Sequence, residues 1–247
     1  FESHAHPGGS FPWLNRQRAD GIVVKTFEPD PASAAVNVER IAALITPRTR
    51  VIQVSHVTSP TGIILPVPEI AALARQHGLW FHVDGAQSAG MIPVDMRALG
   101  CDSFATSGHK WIGGPHETGI LWIREERIAE VTPRHVGAYS SDDVNLKNPG
   151  PFIYTPGAHR FEYGTRNAAS VLALAEATRF QTFFYNGILA SQLKGYAQAR
   201  PEAQTQAYVD RSPLPLVPSL SVPMLVFHGT ADRLVPGQQS CWLWSAL

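Results

Sequence analysis

The stretch from His82 to Lys110, HVDGAQSAGMIPVDMRALGCDSFATSGHK, contains an acid and an amine whose placement suits a definite chemistry. It reads as a strand, a tight turn, a short helix and a second strand ending in Ser-Gly-His-Lys. Asp84 closes the first strand and Lys110 follows the second. In a parallel sheet both positions fall at the carboxyl edge, where open α/β sheets bind ligands. A carboxylate and an amine delivered to one edge suit pyridoxal 5'-phosphate (PLP). There a lysine forms a Schiff base with the aldehyde, and an aspartate keeps the pyridine nitrogen protonated so that the ring accepts electrons. The plainer alternative is a surface lysine and a strand-end aspartate that caps a turn.

The elements that must position this pair follow from the hydrophobic pattern. Gly21 to Phe27 (GIVVKTF) reads as a short strand. Val36 to Ile45 places Val38, Ile41, Ala42 and Ile45 on one helical face. Arg50 to Val57 (RVIQVSHV) is an apolar strand, followed by the Pro/Gly turn TSPTG. Pro66 to His77 is a helix with Pro near its start and Gly78 just past its end. Leu79 to Asp84, Cys101 to Ser107 and Gly119 to Ile123 read as further strands. Strands alternating with helices predict an α/β fold with a mostly parallel sheet covered on both sides. Pro133 to His159 is dense in Pro, Gly, Asn and Ser and reads as a long loop, of the kind that is functional or mobile. RFEYGTRN then leads into a helix from Ala168 to about Tyr185.

Composition excludes several classes. The 247 residues, 44% hydrophobic and 16% charged with zero formal net charge, suit one large or two modest globular domains. No basic excess points to nucleic acid or an acidic membrane surface, and the apolar runs are too short for a membrane span. Cys101 and Cys241 stand far apart without a CxxC pattern, which fits a reducing cytoplasm and gives no thiolate metal site. The chain opens on Phe1 within FESHAHPGGSFPW, so the sequence reads as a fragment whose upstream part is missing.

Five stretches, HPGGSFPW, SHVTSPTGIILPV, HVDGAQSAGMIPVD, TSGHKWIGGP and RFEYGTRN, stand in the order found in one enzyme family. Through them residues 1–188 resemble the class V aminotransferases among the fold-type I PLP enzymes. The closest flavour is isopenicillin-N-epimerase-like, with cysteine desulfurases as relatives. The resemblance implies a partial fold-type I large domain, PLP as cofactor, an amino-acid substrate and a homodimer. It implies Lys110 as the Schiff-base lysine, Asp84 on the pyridinium nitrogen and Gln87 on the ring hydroxyl. Ser107 and His109 would bind the phosphate, and Thr165 would reach the phosphate of the neighbouring subunit. His6 would stack on the ring, and Ser59 falls where cysteine desulfurases place an Asn facing the cofactor. An ordinary loop histidine and a turn serine before Pro60 are the other readings of those two. Ala5 replaces a Glu common before the stacking His. Glu117 in GGPHETG replaces a usual Gly, where a carboxylate could conflict with a Gly-only backbone angle. The family's Gly-Thr phosphate loop and substrate-carboxylate Arg are not recognisable.

Residues 189–247 read as a linker and a different fragment. RSPLPLVPSLSVPMLVFHGTADRLVPGQQS resembles the end of a prolyl-oligopeptidase-type α/β-hydrolase, with a strand at Met224 to His228 and Asp232 at the triad acid's position. No GxSxG elbow and no later His accompany it. The sequence therefore predicts a PLP-dependent enzyme fragment acting on an amino acid through Lys110. Epimerase- or aminotransferase-like chemistry is favoured because the loop from Pro133 to His159 has no Cys. The alternatives are a non-catalytic remnant of a PLP enzyme and a serine hydrolase or peptidase fragment.

Overall fold

The computed structural model describes residues 1–141, 146–148 and 150–183. The chain divides into two compact units, Phe1–Gln181 and Thr182–Leu247. The strand expected at Met224 to His228 and the hydrolase-like Asp232 lie outside the described residues.

The first unit is built on a four-stranded sheet of order β1-β2-β3-β4. The strands are β1 (Val51–Ser55), β2 (Trp80–Asp84), β3 (Ser103–Ser107) and β4 (Gly119–Ile123). β1, β2 and β3 are mutually parallel, while β4 returns antiparallel to β3. Alternation along each strand separates two faces. Ile52, Val54, Phe81, Val83 and Phe104 join Ile41, Ile70, Ala71, Leu73, Ala74 and Leu99 in one buried core. These partners come from α2 (Ala34–Leu44), α3 (Val67–Gln76) and α4 (Met96–Leu99). Fully burying a Val, Leu or Ile side chain is worth about 1.5–3 kcal/mol, so this face holds the sheet together. The other face is polar, with Gln53, Ser55, His82, Asp84, Ser103 and Ser107 at the alternate positions.

The helix ends follow local chemistry. Ser33 caps α2 by accepting from the Val36 N–H, and Asp95 caps α4 through the Arg97 and Ala98 N–H groups. α3 gives way to Gly78, which adopts φ 63°.

One expectation changes, and one element appears that the sequence did not announce. Gly21 to Phe27 is not a strand: only Phe27 bridges, to Glu2. The stretch has the composition of a strand, but only Phe1–Ser3 runs beside it. The Ser3 N–H donates to Phe27 O and the Phe27 N–H to Phe1 O, and Val23 stays exposed. Conversely, Pro7–Asp20 is a helix, α1, that its residues hide. Gly8, Gly9 and Pro12 are poor helix formers. His6 caps it, Pro7 fits its first turn, and Arg16 pairs with Asp20. It is fastened to the sheet by Gln53, which accepts from Trp13 Nε1 at 2.6 Å and donates to Gly9 O at 2.9 Å.

From Pro133 to His159 the described residues form loop, turning into a 3-10 segment at Gly157–Phe161. The loop is tied back at buried Ser140, whose backbone carbonyl accepts from the Thr155 N–H. α5 (Ala168–Phe183) follows. Among the described residues no helix is long and apolar enough to cross a membrane.

Candidate active site

Three loops leave the carboxyl ends of β1, β2 and β3 and meet. Asp84 ends β2, and its Oδ1 accepts from the Ala86 N–H at 2.9 Å, which closes the turn. Gly85 follows because nothing larger fits: an added Cβ would lie 1.8 Å from the Phe104 ring. Gln87 links the loops. Its Nε2 donates to Ser59 Oγ at 3.2 Å, and its Oε1 accepts from Trp111 Nε1 at 2.9 Å. Ser59 belongs to the loop after β1, and Trp111 is the neighbour of Lys110. Gly90, at φ 87°, lets the two later loops touch backbone to backbone, since a Cβ there would sit 2.6 Å from the Trp111 carbonyl.

Lys110 lies three residues beyond β3 in a loop that closes on itself. The Gly108 N–H donates to Thr118 O, and the Gly114 N–H donates to Gly108 O, each at 2.8 Å. Buried Ile112 anchors the loop from within, and buried Leu174 of α5 packs against Gly108 and Gly114. The half-buried Lys110 ammonium has no hydrogen-bond or ion-pair partner among the described residues, and neither has the Ser107 hydroxyl. His109 is exposed and stacks on His116, ring centroids 5.2 Å apart. Glu117 adopts φ 64°, the left-handed angle expected of the glycine it replaces.

α1 begins directly over Asp84. A Cβ on Gly9 would lie 3.1 Å from Asp84 Oδ2. His6 stands at this helix start, exposed, with Nδ1 accepting from the Gly8 N–H at 3.0 Å. The structure thus groups Asp84, Gln87 and Ser59 with the Lys110 loop and the start of α1. Thr165 lies exposed in the turn before α5, and no hydrogen bond among the described residues ties it or His109 to that group. Arg160 and Arg166 lie over the rings of Tyr154 and Tyr163.

Several residues that shape the site escaped the sequence reading. Gln53 fixes α1 over Asp84, and a glutamine inside the apolar run RVIQVSHV was a visible signal. His82 sits behind Asp84 with Nδ1 2.8 Å from Ser103 Oγ. Burial lowers the proton affinity of His82, and the Asp84 charge opposes this in part. Burial likewise lowers His56, whose Nδ1 is enclosed without a partner among the described residues. No group of three or more His, Cys, Asp or Glu among the described residues is placed to hold a metal ion. The donor set fits PLP instead. An amine on the loop after β3 and a carboxylate oxygen at the end of β2 stand at one sheet edge with a hydroxyl at the end of β3, none of the three with a partner among the described residues.

A mostly parallel sheet with these groups at its carboxyl edge has the arrangement in which open α/β folds bind ligands. The family model for class V aminotransferases matches residues 2–200. A probable cysteine desulfurase of Mycolicibacterium paratuberculosis is 34% identical over 175 residues, which are 71% of this chain and 25% of that protein. A cysteine desulfurase of Salmonella typhimurium is 35% identical over 179 residues, 72% of this chain and 43% of that protein. Among solved structures, the apo cysteine desulfurase of Thermococcus onnurineus superimposes with a TM-score of 0.65 at 27% identity, over 80% of this chain and 50% of that one. The cystine C–S lyase C-DES, in complex with its product cysteine persulfide, gives 0.65 at 31% identity, over 73% and 48%. A C-DES mutant carrying glycine covalently linked to the PLP cofactor gives 0.64 at 29% identity, over 80% and 54%. This chain belongs to the class V aminotransferase family, and its fold is that of the fold-type I PLP transferases. It spans about half or less of the length of these relatives.

Proposed function

We propose that this chain carries the amino-acid chemistry of a PLP-dependent enzyme, with Lys110 as the amine that holds the cofactor and moves the substrate's proton. The observation behind the reading is the Lys110 ammonium and the Asp84 Oδ2, at one sheet edge and each without a partner among the described residues. When bound, PLP supplies an aldehyde for an amine to condense with and a ring that takes up the electrons of a bond broken at the amino acid. Asp84 would keep the ring nitrogen protonated through Oδ2, since Oδ1 is engaged by the Ala86 N–H. Gln87 would bond the ring hydroxyl, and Ser59, its partner, would sit beside it. Ser107 and His109 would donate to the phosphate, with Thr165 serving the second copy of a homodimer. His6, at the cap of α1, would cover the ring. Lys110 would act as nucleophile and base in its deprotonated form.

The bond that breaks is a separate question. A desulfurase of this family uses a thiolate to take the sulfur, and a reactive thiolate is exposed and of low pKa. Cys101, the cysteine among the described residues, is buried just ahead of β3, at the opposite end of that strand from Lys110. Burial pushes its thiol up to about 11. This favours epimerase- or aminotransferase-like proton chemistry for the described residues. Cysteine C–S cleavage is the second reading, favoured by the likeness to cysteine desulfurases.

The test is a visible spectrum of the protein with added PLP, then borohydride reduction and peptide mapping. The expected adduct is on Lys110 and is lost in Lys110→Ala. An adduct on another lysine overturns the assignment. Exchange of the α-proton with deuterated solvent, without sulfide release from cysteine, distinguishes the first chemistry from the second.

A further inference from the structure

Three side chains on the polar face of the sheet converge on one hydroxyl. Trp80 Nε1 donates to Ser103 Oγ at 2.9 Å, and Ser103 Oγ lies 2.8 Å from His82 Nδ1. Ser103 is buried, and its hydroxyl has no third partner among the described residues. An indole N–H can only donate. Ser103 Oγ therefore accepts from Trp80, and its own proton has one acceptor in reach, His82 Nδ1. The opposite tautomer would leave that buried proton without an acceptor.

His82 stands directly beside Gln53 of β1 and Ser103 of β3. It lies two residues before Asp84, on the same face of β2. We propose that Trp80 and Ser103 lock His82 as the Nε2–H tautomer, making it a positioning residue that sets a donor edge rather than a lone pair beside Asp84. A donor edge on this face complements the carboxylate that would meet the protonated ring nitrogen. This role rests on the function proposed for Asp84. Burial keeps the imidazole neutral at neutral pH, against the pull of the Asp84 charge. The groups around it are few: Asp84 on its own strand, uncharged Gln53 and Ser103 on the flanking strands, and Arg127 over the Trp80 ring at 4.7 Å.

The experiment is long-range 15N–1H correlation of histidine-labelled protein without cofactor, with the His82 signals assigned by their loss in His82→Gln. The native protein is expected to show the Nε2–H pattern. Ser103→Ala shifts it toward a tautomer mixture, and Ser103→Thr restores it. The native tautomer is read without any substitution, so the test stands even if Ser103→Ala does not fold. A native Nδ1–H pattern, or no change in a folded Ser103→Ala, overturns the lock. For the positioning role, the carboxyl 13C signal of Asp84 is compared at neutral pH between the native protein and Ser103→Ala. The signal is expected to move when the tautomer does, and an unmoved signal overturns the role. Both readouts are made without PLP, so a failure to trap PLP on Lys110 leaves them standing, and their failure leaves the trapping result standing.

Discussion

Glu117 is the non-glycine residue at positive φ among the described residues. It holds φ 64° in the loop that carries Lys110. The left-handed conformation costs an L-residue about 1–2 kcal/mol, and glycine adopts it freely at a smaller entropic cost. Glu117→Gly is expected to raise stability by about 1 kcal/mol in urea unfolding, with the midpoint moving and the slope unchanged. A loss of stability would show that the carboxylate has a partner worth more than the strain. His6 and Gln53 make the complementary point. His6 was legible as a chemical residue, but its role as the cap of α1 was not. Gln53 reads as a strand residue and acts as the fastener of that helix.

At the scale of elements, the site depends on loops that approach more closely than side chains permit. Gly90 brings the loop after β2 against the backbone at Trp111. Gly90→Ala adds both an unfavourable φ and a clash with a carbonyl that cannot swing aside, and overpacking alone costs about 1–3 kcal/mol. Gly62, at φ 69° with nothing within 4 Å of its added Cβ, is the control. The expected result is that Gly62→Ala costs about 1 kcal/mol and Gly90→Ala clearly more. Gly90→Ala should also weaken PLP trapping on Lys110, while Gly62→Ala should not. Equal costs in the two variants would mean that the loops yield readily.

For the whole molecule, proton linkage follows from what the fold buries. Burial lowers both His56 and His82 below their ordinary value. The unfolded chain then binds more protons as the pH falls below about 6.5, so their contribution is full above that value and is lost toward the folded values. Buried Glu2 acts in the opposite sense, because burial raises it; its contribution is present below about 4.5 and lost as pH rises through its folded value. Stability is expected to decline between about pH 7 and 5, and His56→Leu should flatten that decline. A decline equally steep in His56→Leu would remove His56 from the account.

The sequence by itself determined the strands and helices with clear periodicity, the sheet edge, and the residue types able to serve PLP. Apolar alternation and capping residues act locally, so β1 to β4, α2, α3 and α5 were legible. Only the tertiary structure decided that Gly21 to Phe27 forms a single bridge, because a strand needs a neighbour as well as a composition. It alone made a helix of Pro7–Asp20, against local propensity, through contacts reaching from Trp13 and Gly9 to Gln53. It alone joined Ser59, Gln87 and Trp111 across three loops, since hydrogen bonds between distant segments leave no periodic trace in the chain.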